Sequence, residues 1–280
     1  MSRFDKFGQP KSQLVPKPSE GGRTSTEISD QVKQYLKTQP ADIPGSIARV
    51  LSNQPGRFLF CLDATGSMSR LIESAKGSLR KIAERMQEEA GCPIEIGVVA
   101  YRDYDMGEGV EEHSALTAEM DALIVFLNRT RVAGGGPDTG EAVQVALERA
   151  LTLKDINAVL LAGDEPAHSR EHLNSMNMGN QLTATELAVR FAEKKIPIHT
   201  FVVGSRQDTI ASFEEIARAS GGKCGFLDGS AAMIDMAVMA MLAALKGPSA
   251  VLGYMQRHQL SSNASKFGSL LIEAPKPLRK

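Results

Sequence analysis

The sequence predicts a doubly wound α/β fold, in which a mostly parallel sheet carries helices on both faces. Five short apolar runs indicate buried strands: RFLFCL, IEIGVVAY, NAVLLAG, PIHTFVVG and, more weakly, KCGFLD. Strands that are apolar on both faces are typical of a parallel sheet covered by helices. Segments with helical periodicity alternate with these runs, and that alternation is the pattern of a doubly wound sheet.

The predicted helices follow the strands in order. After the first run, apolar residues recur every three or four positions, at Leu71, Ala75, Leu79, Ile82 and Met86. Further helices are predicted over residues 117–129, 139–151, 183–195 and 208–220. The third of these begins with TATE, a capping box, and the fourth ends at two glycines. The last helix, residues 231–245, is interrupted by Asp235 and falls short of the roughly 20 apolar residues of a membrane span. We therefore expect it to be buried, and the chain to have no membrane span.

Composition divides the chain into four predicted parts. Residues 1–24 are rich in Pro, Gly, Ser and Lys and indicate a disordered, flexible arm. Residues 25–55 contain a short amphipathic helix and a linker, and residues 56–246 form the α/β domain. Residues 247–280 are predicted to hold one more helix and a polar, basic tail.

Charge and cysteine content restrict the function classes. Residues 41–246 carry 20 basic and 28 acidic residues, whereas both ends of the chain are basic. An acidic body of this kind does not indicate a nucleic-acid-binding domain. The three cysteines, Cys61, Cys92 and Cys224, have no paired spacing, and the N-terminus lacks the apolar stretch of a secretory signal. We therefore expect a cytoplasmic protein with reduced thiols.

Three polar loops are predicted to meet at one edge of the sheet. In an open parallel sheet, ligands bind beyond the carboxyl ends of the strands. DATGSMS follows the first strand, GDEPAH follows the third major run, and AGGGPDTGEA opens a helix between them. Their oxygen-bearing residues are Asp63, Thr65, Ser67, Asp138 or Thr139, and Asp164. Such hard donors suit Mg²⁺, with Mn²⁺ or Ca²⁺ as alternatives.

DATGSMS resembles the metal-ion-dependent adhesion site motif, Asp-x-Ser/Thr-x-Ser, of von Willebrand factor A (vWA) domains, here of the intracellular microbial type. The Gly-rich loop and the strand-end acid Asp164 fit the same family in order and type, and the resemblance covers roughly residues 56–246. It implies a Rossmann-like fold and one divalent ion, usually Mg²⁺, whose open position accepts a carboxylate from a partner protein. Asp63, Thr65, Ser67 and Asp164 correspond to ligand positions of that motif.

The middle loop departs from the family pattern. GGGPDTG replaces the common Gly-Gly-Thr-x-Thr-Gly, so that Pro137 stands where the usual Thr ligand would be. Either Asp138 or Thr139 is left to complete the metal shell, and the sequence does not choose between them. GDEPAH resembles the Asp-x-Pro-x-His form of some vWA subgroups, and AYRDYD is similar to a stretch that those subgroups share.

Simpler interpretations remain for several residues. Thr65 and Ser67 have the side chains of helix caps. His168 and His172 have the spacing of two zinc ligands, although no third ligand lies near in sequence, so we favour a loop and helix start. Arg102 and Asp103 are expected to form an ion pair at the end of the second strand.

The function that we favour is that of a non-enzymatic, metal-dependent protein-interaction module. No histidine follows a strand where it could activate Ser67, so a nucleophile–base pair is not predicted. The family resemblance implies an adaptor in a multiprotein system of the stress or defence type, with an AAA ATPase as a possible partner. The alternative is a Mg²⁺-dependent phosphoryl-transfer enzyme with Asp63 as nucleophile, although Thr65 stands where such enzymes have a second acid.

Overall fold

Six strands form one sheet in a computed structural model that describes residues 54–134 and 140–273. They are β1 (Gly56–Asp63), β2 (Ile94–Tyr101), β3 (Glu111–His113), β4 (Ala158–Gly163), β5 (Ile198–Val203) and β6 (Cys224–Leu227). Their order across the sheet is β3-β2-β1-β4-β5-β6. All neighbouring strands are parallel except β2 and β3, which are antiparallel.

Helices alternate with these strands along the described chain. They are α1 (Ser69–Ala90), α2 (Met120–Arg129), α3 (Val143–Thr152), α4 (Arg170–Ser175), α5 (Ala184–Glu193), α6 (Gln207–Ser220), α7 (Ser230–Lys246), α8 (Pro248–Arg257) and α9 (Ser262–Ile272). Short 3₁₀ segments span Gly66–Met68 and Tyr104–Val110.

The core lies in two layers, one on each face of the sheet. Along β1, Phe58 and Phe60 pack with α1, α2 and α7–α9 on one face. Leu59 and Cys61 point the other way and pack with α3, α5 and α6. Because both faces are covered, the parallel strands β1, β2 and β4 are largely apolar, as the sequence predicted. The doubly wound, mostly parallel fold is confirmed.

Several local predictions are also confirmed. The capping box is present, because the Thr183 hydroxyl accepts from the Glu186 amide and the Glu186 carboxylate accepts from the Thr183 amide. Gly221 ends α6 in the left-handed conformation with a φ of 81°. The apolar helix α7 is buried and helps to form the core, and its methionines Met233, Met236, Met239 and Met241 are all buried. Among the described residues, no helix combines the length and apolar character needed to cross a membrane.

Three elements were not predicted. The edge strand β3 and the short helix α4 carry little apolar pattern, so their sequences gave no periodic signal. The segment after α8 contains a further helix, α9, where we expected a polar tail. Gly268 of this helix packs closely against two methionine side chains. A Cβ at this position would come within 2.6 Å of the Met255 sulfur and 2.8 Å of the Met239 sulfur.

The C-terminal helices are joined to α1 through a buried acid. Asp235 of α7 accepts hydrogen bonds from Arg85 of α1 and from Tyr254 of α8, the latter at 2.7 Å. Glu89, near the end of α1, pairs with Arg257 and with His258. Residues 247–273 therefore pack on the same helical layer as α1, while the predicted domain boundary at residue 246 stays a prediction. The predicted arm, and the predicted helix and linker up to residue 53, lie outside the described residues, as do residues 274–280.

A buried histidine in β5 predicts acid sensitivity. The His199 ring is enclosed against Phe267, and its Nδ1 accepts from the Lys223 amide at 3.2 Å. Burial, with a smaller contribution from Lys223, lowers the pKa of His199 to about 4. The unfolded chain, with a pKa of about 6.5, binds this proton first, so the free energy of unfolding falls as the pH drops through 6.5 towards 4.

We expect His199 to account for a loss of about 2 kcal/mol in the free energy of unfolding between pH 7 and pH 5. His199→Asn retains an acceptor near the Nδ1 position and removes the titration, so its loss over this range should be smaller by that amount. Urea unfolding at the two pH values measures the difference. The half-exposed His113 supplies the control, His113→Asn. Equal pH dependence in His199→Asn and the parent protein would contradict the assignment.

Candidate metal centre

The end of β1 brings three oxygen-bearing side chains together. Asp63 is fully buried, and its Oδ1 accepts from the Thr65 amide at 2.8 Å and from the Thr65 hydroxyl at 2.7 Å. The Thr65 and Ser67 hydroxyl oxygens lie 3.2 Å apart, and Ser67 is exposed. The alternate spacing of DATGS therefore places one carboxylate and two hydroxyls on one side of the turn.

The hydroxyls of this turn are not used as helix caps. Thr65 occupies the N-cap position of the 3₁₀ segment without a side-chain capping bond, and Met68 is the N-cap residue of α1. The simplest alternative for these residues, that they cap the first helix, is therefore wrong. Their oxygens remain beside Asp63.

The end of β4 brings Asp164 to the same edge of the sheet. β1 and β4 are parallel neighbours, with Leu62 opposite Ala162, so both strands end in an acid at the same edge. The Thr209 hydroxyl donates to the Asp164 backbone carbonyl at 2.9 Å and fixes the turn. The Asp164 side chain approaches Asp63 closely enough for the two carboxyl groups to interact directly.

Burial makes this approach electrostatically unfavourable. It raises the pKa of Asp63 above its usual range; the two hydrogen bonds from Thr65 oppose that rise, and repulsion from Asp164 adds to it. Asp63 Oδ2 and Asp164 Oδ1 are both buried and have no hydrogen-bond partner among the described residues. A proton shared between the two carboxyl groups, an ordered water or a cation would satisfy these oxygens.

Glu141 is a further buried acid near this site that was not predicted from the sequence. It is 2% exposed, and its Oε2 also has no hydrogen-bond partner among the described residues. Burial raises the pKa of Glu141 to about 9, and repulsion from Asp63 and Asp103 adds to the rise. The sequence did contain a signal for this acid: Glu141 directly follows the Gly-rich loop, and that loop was predicted to reach the site.

The segments on either side of the Gly-rich loop are fixed by backbone hydrogen bonds. Before it, the Ala133 amide donates to the Ala64 carbonyl at 3.1 Å. After it, the Glu141 amide donates to the Pro166 carbonyl at 2.9 Å. Asp138 and Thr139 themselves lie outside the described residues, so their part in the site stays a prediction.

The two residues after β2 have different partners from those we expected. Arg102 is buried and donates to Glu112 and to the backbone carbonyls of Gly109 and Arg131. Asp103 bonds His168 instead, with 2.6 Å between its Oδ1 and the imidazole Nε2. The predicted Arg102–Asp103 ion pair is thus wrong: each of the two side chains contacts other residues instead.

The donor set fits a hard cation better than zinc. Zinc is usually bound by His, Cys, Asp and Glu. Within the described part of the chain, no three or more side chains of these types form a group that could hold a metal ion. His168 and His172 stack with their ring centroids 4.4 Å apart, and His168 precedes α4 while His172 lies inside it. The two partnerless carboxylate oxygens beside two hydroxyls are the kind of ligands that Mg²⁺ prefers.

The fold and the polar strand ends define an α/β domain with a ligand-binding edge beyond the carboxyl ends of its parallel strands. A family model described as the von Willebrand factor A domain matches residues 57–228, more than half of the chain. The protein therefore belongs to the vWA domain family, and the match indicates a protein-interaction module.

Similar regions occur in much longer proteins. The chain is 25% identical over 198 residues to the putative ariadne-like RING finger protein R811 of Acanthamoeba polyphaga mimivirus, covering 66% of this chain and 20% of that protein. It is 23% identical over 155 residues to the alpha-protein kinase vwkA of Dictyostelium discoideum, covering 54% of this chain and 25% of that one. The match thus spans a quarter or less of each of these relatives.

Solved structures support the fold. The pilus adhesin SpaC of Lactobacillus rhamnosus GG in its open conformation aligns with a TM-score of 0.50 and 11% sequence identity. The alignment covers 69% of this chain and 30% of the adhesin. At that level of identity, the likeness concerns the fold alone.

Gly163 predicts a packing requirement at the end of β4. A Cβ at this position would lie 2.6 Å from the Tyr101 hydroxyl, 3.1 Å from the Phe213 ring and 3.4 Å from Asp63 Cβ. We expect Gly163→Ala to lower the free energy of unfolding by about 1–3 kcal/mol, because these buried neighbours must shift. Urea unfolding of the purified variant measures the change.

Gly77 provides the matched control, since it lies within α1 and a Cβ there would meet nothing within 4 Å. Gly77→Ala should raise the free energy of unfolding by up to about 1 kcal/mol through helix propensity. If Gly163→Ala were as stable as the parent protein, the end of β4 would have more room than these distances allow.

Proposed function

We propose that this protein binds one divalent cation, Mg²⁺ or in its place Mn²⁺ or Ca²⁺, and uses it to bind a carboxylate of a partner protein. Asp63 and Asp164 would supply the anionic ligands, and Thr65 and Ser67 the hydroxyl ligands. The bound ion would supply positive charge and an open coordination position. The module itself is not an enzyme in this proposal.

The observation that carries the proposal is the pair of buried carboxylate oxygens without a partner, Asp63 Oδ2 and Asp164 Oδ1. Two unit charges about 4 Å apart repel by about 4 kcal/mol at an effective dielectric constant of 20. A cation between them converts that repulsion into attraction. The hydroxyls of Thr65 and Ser67, which cap no helix, lie on the same side of the turn.

Charge also favours one residue of the Gly-rich loop over the other. Asp63 and Asp164 together balance the two charges of Mg²⁺. If Asp138 also bound the ion directly, the centre would be net negative and would repel an incoming carboxylate. We therefore propose that Thr139 or a water completes the coordination and that Asp138 remains outside it.

The proposed setting is an adaptor in a multiprotein system of the stress or defence type, with an AAA ATPase or another component of that system as the partner. A RING finger protein and a protein kinase each contain a region similar to this chain. That occurrence supports an interaction module that can be combined with different machinery. The three free cysteines, two of them buried, support a reducing, cytoplasmic compartment.

The metal assignment predicts a single Mn²⁺ site that depends on Asp63 and Asp164. Isothermal titration of the metal-free protein should show one site. Asp63→Asn and Asp164→Asn should each weaken it by more than the roughly 10- to 100-fold lost when a residue that only orients ligands is replaced. Each variant removes one of the two anionic ligands, which explains the larger loss.

Asp155→Asn is the matched control, because Asp155 is 79% exposed and precedes β4, at the opposite end of that strand. It should bind Mn²⁺ as the parent protein does. Unchanged binding in Asp63→Asn would refute the site. Labelling of Asp63 after incubation with acetyl phosphate and Mg²⁺ would instead establish the phosphoryl-transfer alternative.

The charge argument predicts opposite effects for the two loop residues. Acetate should displace a metal-bound water from the Mn²⁺-loaded parent protein, which lowers the water-proton relaxation rate. Asp138→Asn should preserve or strengthen this response, whereas Thr139→Ala should weaken Mn²⁺ binding if that hydroxyl is a ligand. Loss of both Mn²⁺ and acetate binding in Asp138→Asn would show that this acid is a required ligand.

A further inference from the structure

Asp103 and His168 form a buried hydrogen-bonded pair between two loops that leave the sheet. Asp103 follows β2 and His168 follows β4, and they are 3% and 4% exposed. The imidazole Nε2 donates to Asp103 Oδ1 at 2.6 Å, and the same oxygen accepts from the Tyr104 amide at 2.7 Å. A bond this short between two enclosed side chains restricts the orientation of both loops.

The His168 ring also contacts the segment that follows the Gly-rich loop. A Cβ on Gly140 would lie 2.6 Å from His168 Nδ1 and 2.9 Å from its Cε1, so only glycine leaves room for the ring. Tyr104 stacks on His168 with 5.5 Å between the ring centroids. The His168 ring, which extends from the loop after β4, therefore contacts the loop after β2 and the segment after the Gly-rich loop.

Hydrogen bonds to backbone carbonyls connect the same three loops. The Ala142 amide donates to the Arg102 carbonyl at 3.2 Å. The Gln144 side-chain amide donates to the His168 carbonyl at 3.1 Å. On the other side of the Gly-rich loop, the Arg102 guanidinium donates to the Arg131 carbonyl, with 2.8 Å between Nε and the oxygen. Arg102 thus holds the segment before the loop, and His168 holds the segment after it.

We propose that Asp103 and His168 are positioning residues for the metal centre: their bond fixes the loop that carries Asp164 relative to the end of the Gly-rich loop. This inference rests on the proposed function, because it concerns the geometry of that centre. Asp103 lies in AYRDYD and His168 lies in GDEPAH, so their contact connects two stretches that are separate in the sequence.

A direct ligand role does not fit His168. Its Nε2 is occupied by Asp103, and its Nδ1 faces the backbone of Gly140. Replacing a residue that orients ligands without touching the metal typically lowers metal affinity roughly 10- to 100-fold. That is the loss we expect when the Asp103–His168 bond is removed.

A matched pair of amide substitutions at His168 tests the bond itself. In His168→Gln the longer side chain places its amide near the Nε2 position and can still donate to Asp103. In His168→Asn the side chain is one methylene shorter and does not reach. Isothermal titration with Mn²⁺ should show a roughly 10- to 100-fold loss of affinity in His168→Asn and an affinity near the parent's in His168→Gln.

Two further variants separate positioning from general destabilisation. Asp103→Ala should lose as much Mn²⁺ affinity as His168→Asn, and the double variant should lose no more than either alone. His199→Leu removes a buried histidine from the amino end of β5, so it should reduce stability and leave Mn²⁺ affinity unchanged. Additive losses, or equal affinities in the two amide variants, would overturn the proposal.

Amide hydrogen exchange in the metal-free protein provides a measurement that does not depend on metal binding. The Glu141 amide, which donates to the Pro166 carbonyl, should exchange faster in His168→Asn and at the parent's rate in His168→Gln. If the parent protein bound no Mn²⁺, the proposed function would fail while this measurement still tested the pair. Equal exchange in both variants would then refute the positioning role.

Discussion

The approach of two acids, Asp63 and Asp164, at adjacent strand ends is the constraint on which the rest of the site depends. β1 and β4 are parallel, in register and buried on both faces, so neither strand can turn its end away. Asp63 is fully buried there, and Asp164 is half-buried beside it. Tyr101, Thr65 and the flanking loops surround this pair of mutually repelling acids.

The loops that flank Asp63 and Asp164 are held by contacts from several elements of the fold. The two residues that follow β2 are both anchors: Arg102 binds the carbonyl before the Gly-rich loop, and Asp103 reaches across to the loop after β4. Adjacent residues at a strand end point in opposite directions, which lets two consecutive side chains hold two different loops. The end of β2 thus organises a site to which it contributes none of the proposed ligands.

Much of the fold and the acids of the site could be predicted from the sequence, because both follow from patterns within short segments. Runs such as RFLFCL identify buried parallel strands, and such strands carry Asp63 and Asp164 to one edge of the sheet. The contact between Asp103 and His168 could not be derived in this way, since it joins residues 65 positions apart. β3 was missed for a related reason: Glu111–His113 becomes a strand through pairing with β2 and has no apolar pattern of its own.

The buried acids of this protein differ in how they are paired: some have structural roles, and others are the proposed metal ligands. Asp235 is 7% exposed, and its Oδ1 accepts from Arg85 and Tyr254; Asp103 Oδ1 likewise accepts from His168 and from the Tyr104 amide. These acids connect helices or loops, and the chain supplies donors for them.

Asp63 Oδ2, Asp164 Oδ1 and Glu141 Oε2 have no such donors among the described residues. Arg206 pairs with Glu165, the residue next to Asp164. An unpaired buried carboxylate oxygen destabilises a fold unless something outside the chain compensates it. Because the chain provides donors for Asp235 and Asp103, the partnerless oxygens of Asp63 and Asp164 at the strand ends are the observation that supports the proposed cation.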